Sequence, residues 1–112
     1  MVDREEIITK TAAVFNAASD HFDAPALSFW NRFGQQTVDH LSLRAGDRVL
    51  DVCCGTGASA IPAAVSVGPT VQVLGIDLAE ALMALARAKS LKRGLSNIEF
   101  RYGDFENLGL PD

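Results

Sequence analysis

The sequence predicts an α/β fold in which a parallel sheet is flanked by helices. Three observations support this: short apolar, β-branched runs alternate with helical patterns, glycines follow the first of these runs, and 112 residues suffice for one core. Strand–helix–strand alternation favours right-handed crossovers and parallel pairing, and apolar strands suit a sheet covered on both faces. The predicted elements are strand Arg48–Cys53, helix Ala58–Ser66, strand Val71–Ile76, helix Asp77–Arg93 and strand Asn97–Tyr102.

Two helices are predicted to precede this unit. The first runs from about Arg4 to Ser19 and has an apolar stripe at helical spacing. The second runs from about Pro25, which is tolerated in a first helical turn, to Leu41. The single domain therefore divides into a helical segment, residues 1–44, and an α/β half-domain, residues 45–112.

The composition argues against several classes of function. The chain is 48% hydrophobic and 21% charged, with a net charge of -4. Its one basic grouping falls late in a predicted helix, where it complements the negative end of the helix dipole: Arg87, Lys89, Lys92 and Arg93. We therefore expect no nucleic-acid partner, because the electrostatic footprint of such a surface is missing.

The termini and cysteines bear on location. The first ten residues are charged and lack the apolar region of a signal peptide. No apolar run approaches the roughly 18 residues that a membrane span needs. The adjacent Cys53 and Cys54 make no disulfide framework, so we expect a cytoplasmic protein with no membrane span and no metal site.

Acidic and glycine residues occur at the ends of the first two predicted strands, where open parallel sheets bind ligands. In the segment Asp51–Gly57 (DVCCGTG), the glycines permit a tight bend and close approach of a ligand to the backbone. Asp77 ends the second strand, where a carboxylate can accept hydrogen bonds from both hydroxyls of a ribose. The alternative is that Asp77 only caps the next helix, with Glu80 completing a capping box.

A third acidic feature, Gly103-Asp104-Phe105, follows the third strand. Asp104 can accept a hydrogen bond from an adenine amino group and Phe105 can add apolar surface beside the base, although a simple Gly–Asp turn is the alternative. Asp51 helps to discriminate between adenosine ligands, because its carboxylate would repel a pyrophosphate and attract a cationic amine. The ligand that fits has an adenosine and an amino-acid tail.

A nicotinamide-binding oxidoreductase domain remains an alternative. Gly55-x-Gly57-x-x-Ala60 followed by Asp77 supports it, whereas Asp51 and Asp104 argue against it.

Together the three segments resemble a known family. Val49–Gly57 looks like motif I of class I S-adenosylmethionine-dependent methyltransferases, Gly75–Ala79 like their second motif, and Gly103–Leu108 like their acidic-loop motif. The resemblance covers about Phe15 to Asp112 and is greatest to the small-molecule branch that includes ubiquinone/menaquinone-biosynthesis C-methyltransferases. It implies a Rossmann-like fold, S-adenosylmethionine as cofactor, S-adenosylhomocysteine as product, and methyl transfer to a small, aromatic or quinone-like acceptor.

The resemblance also implies residue roles. Asp51 would orient the methionine amino group, and Asp77 would bind the ribose hydroxyls. The remaining cofactor-binding residues would be Cys53, Gly55, Thr56 and Gly57 along the methionine and ribose, and Leu78, Asp104 and Phe105 around the adenine. The family's N-terminal helices usually form part of a lid, which places Phe22, Trp30 and Phe33 on the substrate side.

Cys53 departs from the family pattern, which usually has glycine at this position. A side chain there could crowd the methionine end of the cofactor, but the simpler interpretation of Cys53 and Cys54 is small buried apolar filling. Neither His21 nor His40 has a context that places it beside the thiols, so the catalytic residue stays unknown. Both histidines are expected on the surface or rim.

The length is the larger departure. The family's domain continues with further strands, of which the fourth pairs beside the first, and this sequence ends at residues 110–112, where that strand would begin. We therefore expect an incomplete class I methyltransferase fold with an exposed first-strand edge. A homo-oligomer or a complementing C-terminal half would cover it. A non-enzymatic cofactor-binding or interaction module left by truncation is the alternative function.

Overall fold

The computed structural model describes residues 3–18, 29–107 and 110. Within these ranges the helices are α1 (Arg4–Ala17), α2 (Phe29–Leu41), α3 (Ala60–Val67) and α4 (Glu80–Lys92), and the strands are β1 (Val49–Val52), β2 (Val73–Asp77) and β3 (Ile98–Tyr102). The predicted α/β class is confirmed. Ser19 and residues 25–28, where predicted helices end and begin, lie outside the described ranges.

The three strands form one parallel sheet in the order β1-β2-β3. Val49 is in register with Val73, and Val73 with Ile98. All three carboxyl ends therefore lie at one edge of the sheet, where parallel sheets bind ligands. None of the helices in the described ranges has the length and apolarity that crossing a bilayer requires.

One face of the sheet carries the core. Val49, Val73 and Phe100 on that face pack in one cluster with residues of α3 and α4, including Ala63 and Met83. On the opposite face Leu50 and Val52 of β1 remain 43% and 39% exposed. Helices α3 and α4 both pack on the first face, so the expectation of a sheet covered on both faces is met only in part on the other face, where Ile76 of β2 is buried but β1 is exposed.

We call residues 53–57, which follow β1, the glycine turn. Helix α2 packs through Gly34 against the backbone immediately after this turn, at Ala58. Gly34 is buried, and a Cβ at this position would overlap the carbonyl oxygen of Ala58. The absence of a side chain thus lets α2 approach the backbone that leads into α3. This contact fixes one wall of the site described below.

We expect Gly34→Ala to destabilise the fold by about 1–3 kcal/mol, the usual cost of forcing atoms into a packed contact. In an exposed helix the same change would stabilise by about 0.5–1 kcal/mol, because alanine is the better helix former. The sign of the change in unfolding free energy, measured by urea denaturation, therefore tests the contact. Gln36→Ala, on an exposed position of α2, is the control and should leave stability unchanged or slightly higher. A stabilised Gly34→Ala variant would contradict the packing described here.

Candidate functional site

A cavity of about 500 Å³ lies at the carboxyl ends of the strands, bounded by the turn after β1 and by α1 and α2. Predicted cofactor-side residues that line it are Asp51, Cys53, Gly55, Thr56, Asp77, Leu78 and Phe105. Trp30 and Phe33, predicted on the substrate side, line it as well. Phe22 lies outside the described residues. Gly57 and Asp104 do not line the cavity.

The carboxylate of Asp77 links the two strand ends. Its Oδ2 accepts a hydrogen bond from the backbone N–H of Gly55 at 2.8 Å, and its Oδ1 accepts one from Ala79 N–H at 2.8 Å. A carboxylate has about four acceptor positions, so roughly two remain available to a ligand. Asp77 therefore positions the glycine turn and keeps acceptor capacity beside the cavity.

The alternative interpretation of Asp77, a helix cap with Glu80 completing a capping box, is wrong. Asp77 is the last residue of β2, and α4 begins at Glu80 with Ala79 as its N-cap. The side chain of Glu80 pairs instead with Arg87 in the same helix. Asp77 bonds to the N–H two residues ahead, so it closes a turn before the helix.

The turn after β1 depends on left-handed backbone conformations. Cys53 has φ 62°, Gly55 φ 54° and Gly57 φ 84°. The left-handed conformation costs a residue with a side chain roughly 1–2 kcal/mol, which explains why glycine suits the position of Cys53. Cys53 is exposed at the cavity wall while Cys54 is 6% exposed, so the interpretation as buried filling holds for Cys54 and is wrong for Cys53.

Neither thiol is activated. Partial burial, together with the nearby carboxylates of Asp77 and Asp51, raises the pKa of Cys53. Burial is also the main cause that raises the pKa of Cys54 to about 12. Both groups remain protonated at neutral pH, so they are poor nucleophiles.

Asp51 lies in β1, and its side chain reaches the start of α3. Its side chain accepts a hydrogen bond from the backbone N–H of Ala60, whereas Ser59, the N-cap of α3, makes no side-chain capping bond. Burial, with a smaller effect of the Asp77 charge, raises the pKa of Asp51 to about 6. A cationic group in the cavity would favour the ionised form of this carboxyl.

Asp104 does not line the cavity, and its carboxylate is paired with Arg4 of α1. Arg4 pairs with Asp104 (Nη2 to Oδ2, 2.5 Å) and donates a hydrogen bond to Glu106 at 2.7 Å. A backbone hydrogen bond from Glu106, with Arg4 as a further cause, lowers the pKa of Asp104. Gly103 and Phe105, the neighbours of Asp104, line the cavity. The adenine role of Asp104 stays a prediction that requires Arg4 to share or release the carboxylate.

Gly57 lies where α3 packs against α4 and not at the cavity wall. A Cβ there would lie 3.0 Å from Ile61 and 3.3 Å from Ala86, so it lets α3 and α4 pack closely behind the turn. His40, on α2, is exposed and its Nδ1 lies 2.8 Å from the carbonyl oxygen of Gln36. His21 lies outside the described residues.

Sequence reasoning missed the contribution of α1. Thr11 and Phe15 line the cavity, and Asn16 Oδ1 accepts a hydrogen bond from Ala81 N–H at 2.9 Å. Thr11 and Phe15 belong to the apolar stripe of the first predicted helix, which was the available signal. The stripe predicts a buried face, but no residue of α1 is buried and Phe15 remains 43% exposed at the cavity.

Comparison with known proteins identifies the family. A family model described as "Methyltransferase domain" matches residues 43–112, more than half of the chain. The chain belongs to this methyltransferase family. Over 108 residues the methyltransferase chain is 37% identical to ubiquinone/menaquinone biosynthesis C-methyltransferase UbiE of Ectopseudomonas oleovorans, an alignment that covers 96% of this chain and 62% of that relative.

Two further comparisons agree. Over 97 residues the methyltransferase chain is 38% identical to aklanonic acid methyltransferase DauC of Streptomyces sp. (strain C5), covering 87% of this chain and 44% of that relative. A solved SAM dependent methyltransferase from Aquifex aeolicus has a TM-score of 0.70 and 27% identity, with 87% of this chain and 51% of that chain covered. The Rossmann-like class I fold is thereby confirmed, and the chain spans between about a third and two thirds of the length of the curated relatives it matches.

Proposed function

We propose that this chain binds S-adenosylmethionine as the cofactor-binding portion of a methyltransferase that acts on a small molecule. The observation that carries the proposal is that Asp77 and Asp51 line the same cavity. Asp77 offers free acceptor positions suited to ribose hydroxyls, and Asp51 offers a carboxylate suited to an amino group. Membership of the methyltransferase family supports the same cofactor.

The cavity fits an adenosyl ligand that carries an amino acid. Its volume of about 500 Å³ falls within the range of about 300–1,000 Å³ that is usual for ligand pockets. The backbone at Gly55 is open, because a Cβ built there would meet only a Leu82 methyl carbon at 4.0 Å. A ligand can therefore approach the turn without a side chain in its way.

The proposed roles follow from these positions. S-adenosylmethionine supplies a methyl group on a sulfonium, and the chain's residues bind and orient the surrounding parts. Asp77 accepts from the ribose hydroxyls, Asp51 holds the amino group, and Leu78 and Phe105 supply apolar surface for the adenine. Cys53 lies along the methionine side of the turn.

The acceptor is proposed to be aromatic or quinone-like. Phe15, Trp30 and Phe33 give the cavity an aromatic side, provided by α1 and α2. Two relatives are named for small molecules: UbiE for ubiquinone and menaquinone biosynthesis, and DauC for aklanonic acid. Transfer to such an acceptor depends mainly on holding the reacting atoms in line, so proximity and orientation are the chief contribution of these walls.

Calorimetric titration with S-adenosylmethionine, S-adenosylhomocysteine and NADH tests the proposal. We expect both adenosyl ligands to bind and NADH not to bind. Asp77→Ala should weaken binding of the adenosyl ligands by roughly 1.5–3 kcal/mol, the scale of hydrogen bonds to a charged group. That loss corresponds to roughly a tenfold to hundredfold higher dissociation constant.

Asp47→Ala is the matched control for this experiment. Asp47 also accepts a backbone hydrogen bond, from Arg44 N–H at 2.8 Å, but lies outside the cavity. Its removal should leave the affinity unchanged, and circular dichroism verifies that both variants fold. Binding of NADH alone would support the oxidoreductase alternative. Binding of none of the three ligands would support an interaction module.

Affinity for S-adenosylmethionine should fall at acid pH. Because the pKa of Asp51 is about 6, its carboxyl is mostly ionised at pH 7.5 and mostly neutral at pH 5. A neutral carboxyl no longer attracts the ligand's amino group, so we expect about tenfold weaker binding at pH 5, measured by calorimetry. Asp51→Asn should bind weakly at both values and show no such dependence.

Protonation of Asp51 is expected to weaken binding but to stabilise the fold. A carboxyl whose folded pKa lies above its ordinary value makes the fold more stable when protonated, so this group adds stability as the pH falls from 7 towards 5. Loss of binding in that range is therefore not a consequence of Asp51 destabilising the fold. Equal affinity of the wild-type chain at pH 5 and 7.5 would remove Asp51 from the proposed site.

The free edge of β1 supports the proposal of self-association. The outer edge of β1 pairs with no strand among the described residues, and Leu50 and Val52 are exposed beside it. Such an edge is a template for pairing with another chain. We propose that a second copy covers it, a complementing C-terminal half being the alternative.

Light scattering coupled to size-exclusion chromatography tests self-association. We expect a dimer that Val52→Lys weakens, because a charge would then lie beside the pairing edge. Leu91→Lys is the control, since Leu91 is 79% exposed on α4, away from β1. A stable monomer at high protein concentration argues against the second copy.

The cysteines support a cytoplasmic location. Both are free, and a reducing compartment keeps thiols in that state. We propose the cytoplasm on this ground.

A further inference from the structure

A second cavity, of about 370 Å³, lies behind the glycine turn between α2, α3 and the end of α4. We call it the basic groove. Three cationic side chains from the last turn of α4 and its C-cap line it, together with two amide side chains from α2: Lys89, Lys92, Arg93, Asn31 and Gln35. The groove is thus built from residues far apart in sequence, and none of these five side chains lines the cavity at the strand ends.

The charge of the basic groove contrasts with that of the whole chain. The net charge of the chain is -4, yet no Asp or Glu is among the described residues that line the groove. The one acidic residue of α2 (Phe29–Leu41) is Asp39, which accepts a hydrogen bond from Gln35 Nε2 at 2.9 Å. Lys92 and Arg93 are exposed and form no ion pair with any residue in the described ranges. Positive charge is therefore concentrated at one place.

The cations at the end of α4 lie close enough in sequence to repel one another. Lys89 and Arg93 are four residues apart and Lys89 and Lys92 three apart, which are the spacings of neighbours on a helix surface. The negative end of the α4 dipole offsets part of that repulsion. An anion bound beside Lys92 and Arg93 would offset more of it.

We propose that the basic groove binds the phosphate group of a small phosphorylated molecule. A doubly charged phosphate matches several cations better than a single carboxylate does, and both the guanidinium of Arg93 and the ammonium of Lys92 donate hydrogen bonds to phosphate oxygens. Asn31 and Gln35 can add neutral donors from α2. The volume exceeds that of a phosphate alone, so an organic portion can lie against Ile61 and Pro62, which also line the groove.

The groove is coupled to the first cavity through α2. Trp30 and Phe33 face the first cavity while Asn31 and Gln35 face the groove. Ala58, which Gly34 contacts, lines both the first cavity and the groove. A phosphate that joins the amides of α2 to the cations of α4 therefore holds the helix that carries the aromatic wall.

Nuclear magnetic resonance titration of the ¹⁵N-labelled chain, without S-adenosylmethionine, tests this site. The probes are inorganic phosphate and glycerol 3-phosphate at constant ionic strength, with chloride as comparison. We expect saturable shifts of the backbone amides of Gly57, Ala58, Lys92 and Arg93, with the ester binding at least as tightly as inorganic phosphate. Shifts that chloride reproduces, or binding of inorganic phosphate with exclusion of the ester, would overturn the proposal.

A pair of matched double variants locates the site. Lys92→Gln/Arg93→Gln should weaken glycerol 3-phosphate binding by about tenfold or more, since it removes two charged donors. Lys10→Gln/Arg101→Gln removes the same two types of charge outside the groove and should change the affinity by less than about twofold, in line with the small effect of exposed ion pairs. Equal weakening by both pairs would reduce the effect to net charge and overturn the site. Because no adenosyl ligand is present, either result is independent of the Asp77 experiment.

Discussion

The hydrogen bond from Gly55 N–H to the Asp77 carboxylate is the interaction on which the site depends. It joins the bend after β1 to the end of β2, and the second oxygen of Asp77 holds Ala79 before α4 begins. One side chain therefore fixes two loops and still has acceptor positions for a ligand. Since the turn contains three left-handed residues, it needs such an anchor to keep a single conformation.

The position of helix α2 depends on the absence of a side chain at Gly34. Because Gly34 carries no Cβ, the helix lies directly on Ala58, and its two sides face two different cavities. The aromatic residues meet the cavity at the strand ends and the amides meet the basic groove. The position of this helix is thus a property shared by both sites.

The sequence was sufficient where the deciding interactions are local. Apolar runs and glycines predicted all three strands to within two residues at each end, and the motif residues Asp51 and Asp77 fall at one edge because parallel strands end together. Distant partners were not predictable: Arg4 reaches Asp104 across most of the chain, and no periodicity indicates that pairing. The same holds for the basic groove, since the cations of α4 suggested only a helix end until α2 brought Asn31 and Gln35 beside them. The left-handed φ of Cys53 was also not predictable from the sequence, which is why the sequence pattern predicts that this residue is buried.

The exposure of Cys53 makes the chain a natural single-thiol reporter. Cys54 is covered by the core, so a cysteine-directed reagent meets one accessible sulfur, at the wall of the cavity. The raised pKa of that sulfur means that alkylation proceeds faster as the solution becomes more alkaline. A ligand lying along the turn would shield the sulfur, and the rate of labelling would then measure occupancy without any engineered residue.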